Sequence, residues 1–119
     1  MSQNCLFCKI IHGDIAAHKL YEDAHLVAFL DIRPVAKTHF LVVPKRHIES
    51  LLAVVPEDQT LLGQLLLAAP RLAREQGLEE GFRTIINSGK KGGQSVFHLH
   101  IHVFGGGGKA ESLMDTFLA

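Results

Sequence analysis

Between Val96 and Phe104 the chain reads VFHLHIHVF, with histidine and an apolar residue alternating through His98, His100 and His102. Side chains of a strand point to opposite faces in turn. The spelling therefore predicts a strand over 96–104, with Leu99, Ile101 and Val103 facing a core and the three histidines sharing the other face. Neighbouring imidazoles then start about 6.6 to 7 Å apart at the backbone, and the outer two roughly 13 Å apart. Adjacent members can share an ion, but one ion held by all three is poor geometry. A single histidine would be explained by a solvated strand position; three in register beside SGKKGGQS call for chemistry. Imidazole is a neutral nucleophile near pH 7, and its protonated form donates hydrogen bonds to an anion, so neighbouring copies can take opposite roles. Phosphorus is the electrophile that best uses them.

The rest of the chain supplies a sheet for this strand. HKLYED (18–23) and HLVAFLDI (25–32) read as a hairpin, Pro34 forces a loop, and THFLVVP (38–44) is a third strand rich in β-branched and aromatic residues. FRTIIN (82–87) is the fourth, followed by the Gly-rich turn 88–93. LFCKIIHGDI forms a short structured piece ending at the turn His12-Gly13-Asp14. Pro56 to Gly77 is the one long helix, with Pro, Glu and Asp at its start and Gly at its end. Leu61, Leu65, Ala68 and Leu72 recur at helical spacing, while Leu62, Leu66, Leu67 and Ala69 widen the stripe beyond one sheet face. That excess predicts a second buried surface, a homodimer interface. Pro70 should kink or break the helix. The tail KAESLMDTFLA reads as a short helix or a docked arm. Strands first, then one helix, then a hairpin make an α+β domain with a mainly antiparallel sheet.

A chain of 119 residues fits a single domain, 1–119. It has 47% hydrophobic and 20% charged residues and no net charge, a globular composition without the basic field that nucleic acid or anionic lipid would need. No apolar run approaches the roughly 20 residues of a membrane span, and no secretory leader is evident. The expectation is a soluble cytoplasmic protein without nucleic-acid or membrane partners. Cys5 and Cys8, spaced C-x-x-C, are too few for a secreted disulfide framework. They are a redox pair, an inert pair, or half of a metal site. His12, His18 and His25 fall at turns or strand starts and should be solvated.

HLHIHVF matches the histidine triad motif, in which three histidines alternate with apolar residues. The match runs on through INSGKKGGQSVFHLHIHV and AFLDIRPVAKTHFLVVPKRHI, from about Leu6 to Gly106. In order and wording the chain resembles the Hint branch of the histidine triad (HIT) superfamily, the purine nucleoside phosphoramidases. The resemblance implies a HIT-like fold: a homodimer whose protomer has a five-stranded, mainly antiparallel sheet, one long helix and a short N-terminal helix. It implies that His100 attacks the α-phosphorus of a nucleoside 5′-phosphoramidate or an acyl or aminoacyl adenylate. The nucleotidyl-histidine formed is then hydrolysed to AMP or GMP without a catalytic cofactor. His102 would contact phosphate and assist the leaving group. Ser95 and the backbone N–H groups of Gln94 to Val96 would hold the nonbridging oxygens. Asn87 would lie near phosphate and ribose, Asp31 would accept the ribose hydroxyls, and Phe7, Ile15, Phe29 and Ile32 would form the base cleft. His39 matches another active-site histidine, or serves the fold.

Some family members carry an N-terminal C-x-x-C that binds structural zinc with two histidines. The matching positions are Cys5, Cys8, His47 and His98. The better-known animal members lack this pair and end in a tryptophan-bearing tail, whereas this chain has no Trp. Rival functions are dinucleoside polyphosphate hydrolysis or nucleotidyl transfer by the same covalent chemistry, or a nucleotide-binding regulatory module with incidental catalysis. Relatives that hydrolyse dinucleoside polyphosphates tend to have glutamine where Ile101 stands, which favours the phosphoramidase side.

Overall fold

A computed structural model of the chain describes residues 4–107. The tail expected as a short helix or docked arm lies outside them. Strands β1 (Lys19–Glu22), β2 (Leu26–Leu30), β3 (Thr38–Pro44), β4 (Arg83–Ile85) and β5 (Ile101–Gly105) form one five-stranded sheet in the order β1-β2-β3-β5-β4, antiparallel throughout. Two helices join it, α1 (Leu6–Ile11) and α2 (Gln59–Glu75). Among the described residues no helix is long and apolar enough to cross a membrane.

Both faces of the sheet are covered, and strand parity assigns the cover. Leu26, Ala28, Phe40, Val42, Leu99, Ile101 and Val103 pack with Leu65, Ala68, Ala69, Leu72 and Ala73 of α2. The alternate residues Val27, Phe29, Leu41 and Val43 pack with Cys5, Phe7, Cys8 and Ile10 of the α1 segment. His102 pairs with Leu41, so it stands on the α1 face at the sheet's middle.

The histidine strand begins later than its alternation suggests. His98 and His100 precede β5, whose pairing with β3 starts at Ile101 opposite Val42. Continued backwards, the ladder would set Leu99 against Pro44, which has no N–H to give. The Leu99 N–H instead donates to the Ile48 carbonyl at 2.7 Å. Leu99 nevertheless stays in the α2 core and all three histidines are buried.

Helix α2 also departs from expectation at two points. It runs unbroken through Pro70, and Pro56–Asp58 forms a separate 3₁₀ turn ahead of it. Pro70 cannot bond the Leu66 carbonyl, but Leu66 is exposed, so water can take the orphaned acceptor. Ala69, read as part of the surplus stripe, belongs to the core; the surplus that remains exposed is Leu66 and Leu67. The fourth strand is three residues rather than six, and β1 and β2 are each trimmed at both ends.

Candidate active site and metal cluster

Between α1, the end of β2 and the histidine segment lies a cleft of about 360 Å³. Phe7, Ile15, Phe29, Ile32, Asp31, Val96, His100 and His102 line it, all of them residues singled out in the sequence. Phe7 is the pivot of its inner wall. Its ring meets Phe29 edge-on at 5.4 Å and His100 at 5.1 Å with an interplanar angle of 89°. Such contacts set the positive edge of one ring against the negative face of another and hold both rings in place. Ile32 is 86% exposed at the rim, a position no folding requirement explains.

Hydrogen bonds assign the proton on each ring. His100 Nδ1 lies 2.7 Å from the His98 carbonyl, which only accepts, so Nδ1 carries the hydrogen and Nε2 keeps its lone pair. Burial lowers the His100 pKa below the ordinary histidine value and favours this neutral form. His39 is fixed from the backbone: the Val35 N–H donates to its Nδ1 at 3.1 Å, leaving hydrogen on Nε2. Its pKa is lowered by burial, partly offset by Asp31. The His39 Nε2–H then faces His102 Nδ1 at 3.0 Å and Asp31 Oδ2 at 3.3 Å. Donation to His102 Nδ1 leaves His102 with its own hydrogen on Nε2. The result is a neutral acceptor at His100 beside a donor at His102, with ring centroids 4.9 Å apart.

On the other side of His98 a second cluster forms. Ligand atoms of Cys5, Cys8, His47 and His98 all lie within 4.8 Å of one another, close enough to hold a metal ion. Cys5 Sγ is 3.2 Å and Cys8 Sγ 3.6 Å from His98 Nδ1; His47 Nδ1 is 3.4 Å from Cys8 Sγ and 3.1 Å from His98 Nδ1. A tetrahedral ion with sulfur at about 2.3 Å and nitrogen at about 2.0 to 2.1 Å would separate its ligands by roughly 3.3 to 3.8 Å. Those four distances fit that frame to within a few tenths of an ångström. His98 Nε2 donates to the Pro44 carbonyl at 2.8 Å, so its Nδ1 lone pair faces the cluster, the tautomer a ligand needs. Burial pushes the His98 pKa down to about 4, which keeps that lone pair unprotonated. Cys5 caps α1 by accepting from the Cys8 N–H at 3.3 Å, so the helix itself sets the spacing of the two sulfurs.

The pattern shared by this site and known proteins is the HIT domain, whose family model matches residues 12–109. The chain belongs to the HIT family. Protein HitA of Neisseria gonorrhoeae is 52% identical over 102 residues, covering 86% of this chain and 95% of that protein. A HIT family hydrolase from Legionella pneumophila superposes with a TM-score of 0.85 at 47% identity, covering 87% of this chain and 94% of its own. A histidine triad nucleotide-binding protein from Candida albicans gives 0.77 at 34% identity over 84% of this chain and 73% of its own.

Within this HIT domain, three expected ligand contacts stand elsewhere than in the cleft. Asn87 is buried and does not line it. Gln94 is buried as a brace: its Oε1 accepts from the Gly89 N–H at 2.8 Å, and its Nε2 donates to the carbonyls of Glu49 and Val96 at 2.7 and 2.9 Å. Its backbone N–H is also engaged, with the Gly89 carbonyl at 3.1 Å. Gly89 is required there by its backbone, whose φ of +80° and ψ of 167° side-chain-bearing residues avoid. Ser95 is exposed and lines an adjoining cleft with Asn4, Cys5, His47 and Glu49; Leu6 and Val96 border both clefts. His12, His18 and His25 are exposed. The sequence reading missed Leu6, Ile10, Ala16, Ala17, Leu30, Arg33 and Leu41 as lining residues. Leu6, Ile10, Leu30 and Leu41 had a signal in the sheet and helix periodicity; Ala16, Ala17 and Arg33, on irregular loops, had none.

Proposed function

We propose that this chain is a cytoplasmic nucleotide hydrolase of the Hint type, a single HIT domain over 1–119. It cleaves the P–N or P–O bond at the α-phosphorus of purine nucleoside 5′-phosphoramidates or acyl or aminoacyl adenylates. The observation that carries this is the proton pattern of the cleft. His100 Nε2 has a lone pair, held by the 2.7 Å bond behind it, and His102 has a hydrogen to give, held by His39. The nucleoside lies in the Phe7, Ile15, Phe29 and Ile32 cleft with its ribose hydroxyls on Asp31.

His100 Nε2 attacks phosphorus and forms a P–N bond as the bond to the leaving amine breaks. A second proton taken up on His102 Nδ1 when the anionic phosphate binds, held beside Asp31 Oδ2 at 3.9 Å, lets its Nε2–H pass to that amine as it departs, so neither an amide anion nor an imidazolate forms. Water then attacks the nucleotidyl-histidine, giving its proton to His102, and His100 leaves as it arrived. The reading assigns the charge that gathers on the nonbridging oxygens to Ser95, the Ser95 and Val96 backbone N–H groups and Asn87. Relatives described as a HIT family hydrolase and as a nucleotide-binding protein support the assignment.

The same reading takes the metal as zinc, since two thiols and two imidazoles in a closed tetrahedral set suit that ion as a structural element. Cys5, Cys8, His47 and His98 would hold it, and it would supply cross-linking between α1, the β3 loop and the histidine segment. The reading also takes the exposed Leu66 and Leu67 of α2 as a homodimer face; they are 57% and 74% exposed. Turnover of an adenosine 5′-phosphoramidate tests the mechanism. His100→Ala should lower it by about a thousand-fold or more while leaving AMP binding intact. Full activity in that variant would end the covalent mechanism.

A further inference from the structure

The cleft's base end offers little to tell one purine from another. Leu6, Phe7, Ile10, Ile15 and Phe29 present only apolar surface there. Among the described residues Arg33 is the one arginine or lysine that lines the cleft. It is exposed, and its guanidinium has no ion pair or hydrogen bond among the described residues. Its backbone is fixed by the turn it sits in. The Arg33 N–H donates to Asp31 Oδ1 at 2.8 Å, an Asx-type turn, and Pro34 sets the backbone that follows. The other oxygen, Asp31 Oδ2, faces His39 at 3.3 Å and His102 at 3.9 Å. Asp31 thus stands between the histidines on its Oδ2 side and the Arg33 backbone on its Oδ1 side, from which the Arg33 side chain reaches the cleft wall.

We propose that Arg33 sets the purine preference of this cleft, selecting bases with acceptors at both O6 and N7, guanine and hypoxanthine, over adenine. The proposal rests on the nucleotide reading above. With the phosphate at the histidines and the ribose on Asp31, Arg33 stands on the side away from the reacting phosphorus. A planar guanidinium presents paired donors in a fixed fork, which match two adjacent acceptors. Guanine and hypoxanthine offer O6 and N7 in that arrangement, whereas adenine replaces the O6 acceptor with an amino donor. The adenine amino group would face the guanidinium donor to donor.

Calorimetric titration of the full chain with AMP, GMP and IMP tests this, because the three share phosphate and ribose and differ only in the base. Wild type should bind GMP and IMP about ten-fold more tightly than AMP. Arg33→Met should bring the three together by weakening GMP and IMP alone. Arg33→Lys, which keeps the charge and loses the fork, should behave like Arg33→Met. Equal affinities in wild type overturn the proposal, as does an equal loss of all three in Arg33→Met, the mark of a contact to phosphate or ribose. If wild type binds none of the three, the nucleotide reading itself fails and takes this inference with it.

Discussion

Two groups of side chains on the α1 face look alike at first count: Cys5, Cys8, His47 and His98 in one, Asp31, His39 and His102 in the other. In each, the potential ligand atoms lie within 4.8 Å of one another. They differ in what stands behind the rings. In the first, a backbone carbonyl takes the outer hydrogen of His98 and turns a lone pair inward. In the second, a backbone N–H occupies the outer nitrogen of His39 and turns a hydrogen inward. A lone pair in the middle asks for a cation; a hydrogen there already fills the gap. The difference teaches that one backbone partner, not the number of ligands, separates a metal cluster from a proton-bearing one.

The sharpest way to break this contrast is at the cysteines. Cys5→Ser with Cys8→Ser should remove all bound zinc and lower Tm by roughly 8 °C or more, measured by elemental analysis and thermal unfolding. A chelator should reproduce that shift in wild type and do nothing to the double variant. Stoichiometry of two ions per wild-type chain would erase the distinction, since the second cluster would then hold metal too. Next in size is His39. His39→Leu removes the inward hydrogen and should cut kcat by about a hundred-fold at unchanged zinc content. His39→Gln keeps an N–H toward His102 and should stay within about ten-fold of wild type; equal losses in both would reduce His39 to a packing residue. The smallest effect belongs to Asp31. Asp31→Asn turns either an amide donor or a weaker neutral acceptor toward His39, and should weaken AMP binding by about ten-fold with kcat less affected.

Much of this arrangement was legible in the sequence because strand parity carries it. Thr38–Pro44 was readable to the residue, since β-branched and aromatic side chains fill it and Pro34 and Pro44 punctuate it. The same parity put Leu99, Ile101 and Val103 on the α2 side. Illegible was where pairing would stop, because that depended on Pro44 falling opposite Leu99 across a register no local pattern encodes. Ala69 was misassigned because a small residue fits a core or a surface stripe equally well by period. The metal set came from resemblance, and its four members are far apart in sequence; only the folded chain shows His98 facing Cys5 at 3.2 Å. Gln94 and Ser95 sit side by side, yet one is walled in by backbone partners and the other opens on a different cleft. Neighbouring residues on an irregular loop share no period from which to infer such a split.

Helix α1 is six residues long, well below the length at which a helix sustains itself in water. Yet its Leu6, Phe7 and Ile10 form one wall of the cleft, while Cys5 and Cys8 belong to the cysteine–histidine cluster. On the proposed reading, a segment that cannot fold alone answers to two ligands at once. A ligand that ordered it would lower the entropy the other must overcome, and the two affinities would rise together by the same factor. On that reading, nucleotide should tighten zinc by the same factor by which zinc tightens nucleotide, which couples the cleft's occupancy to metal supply.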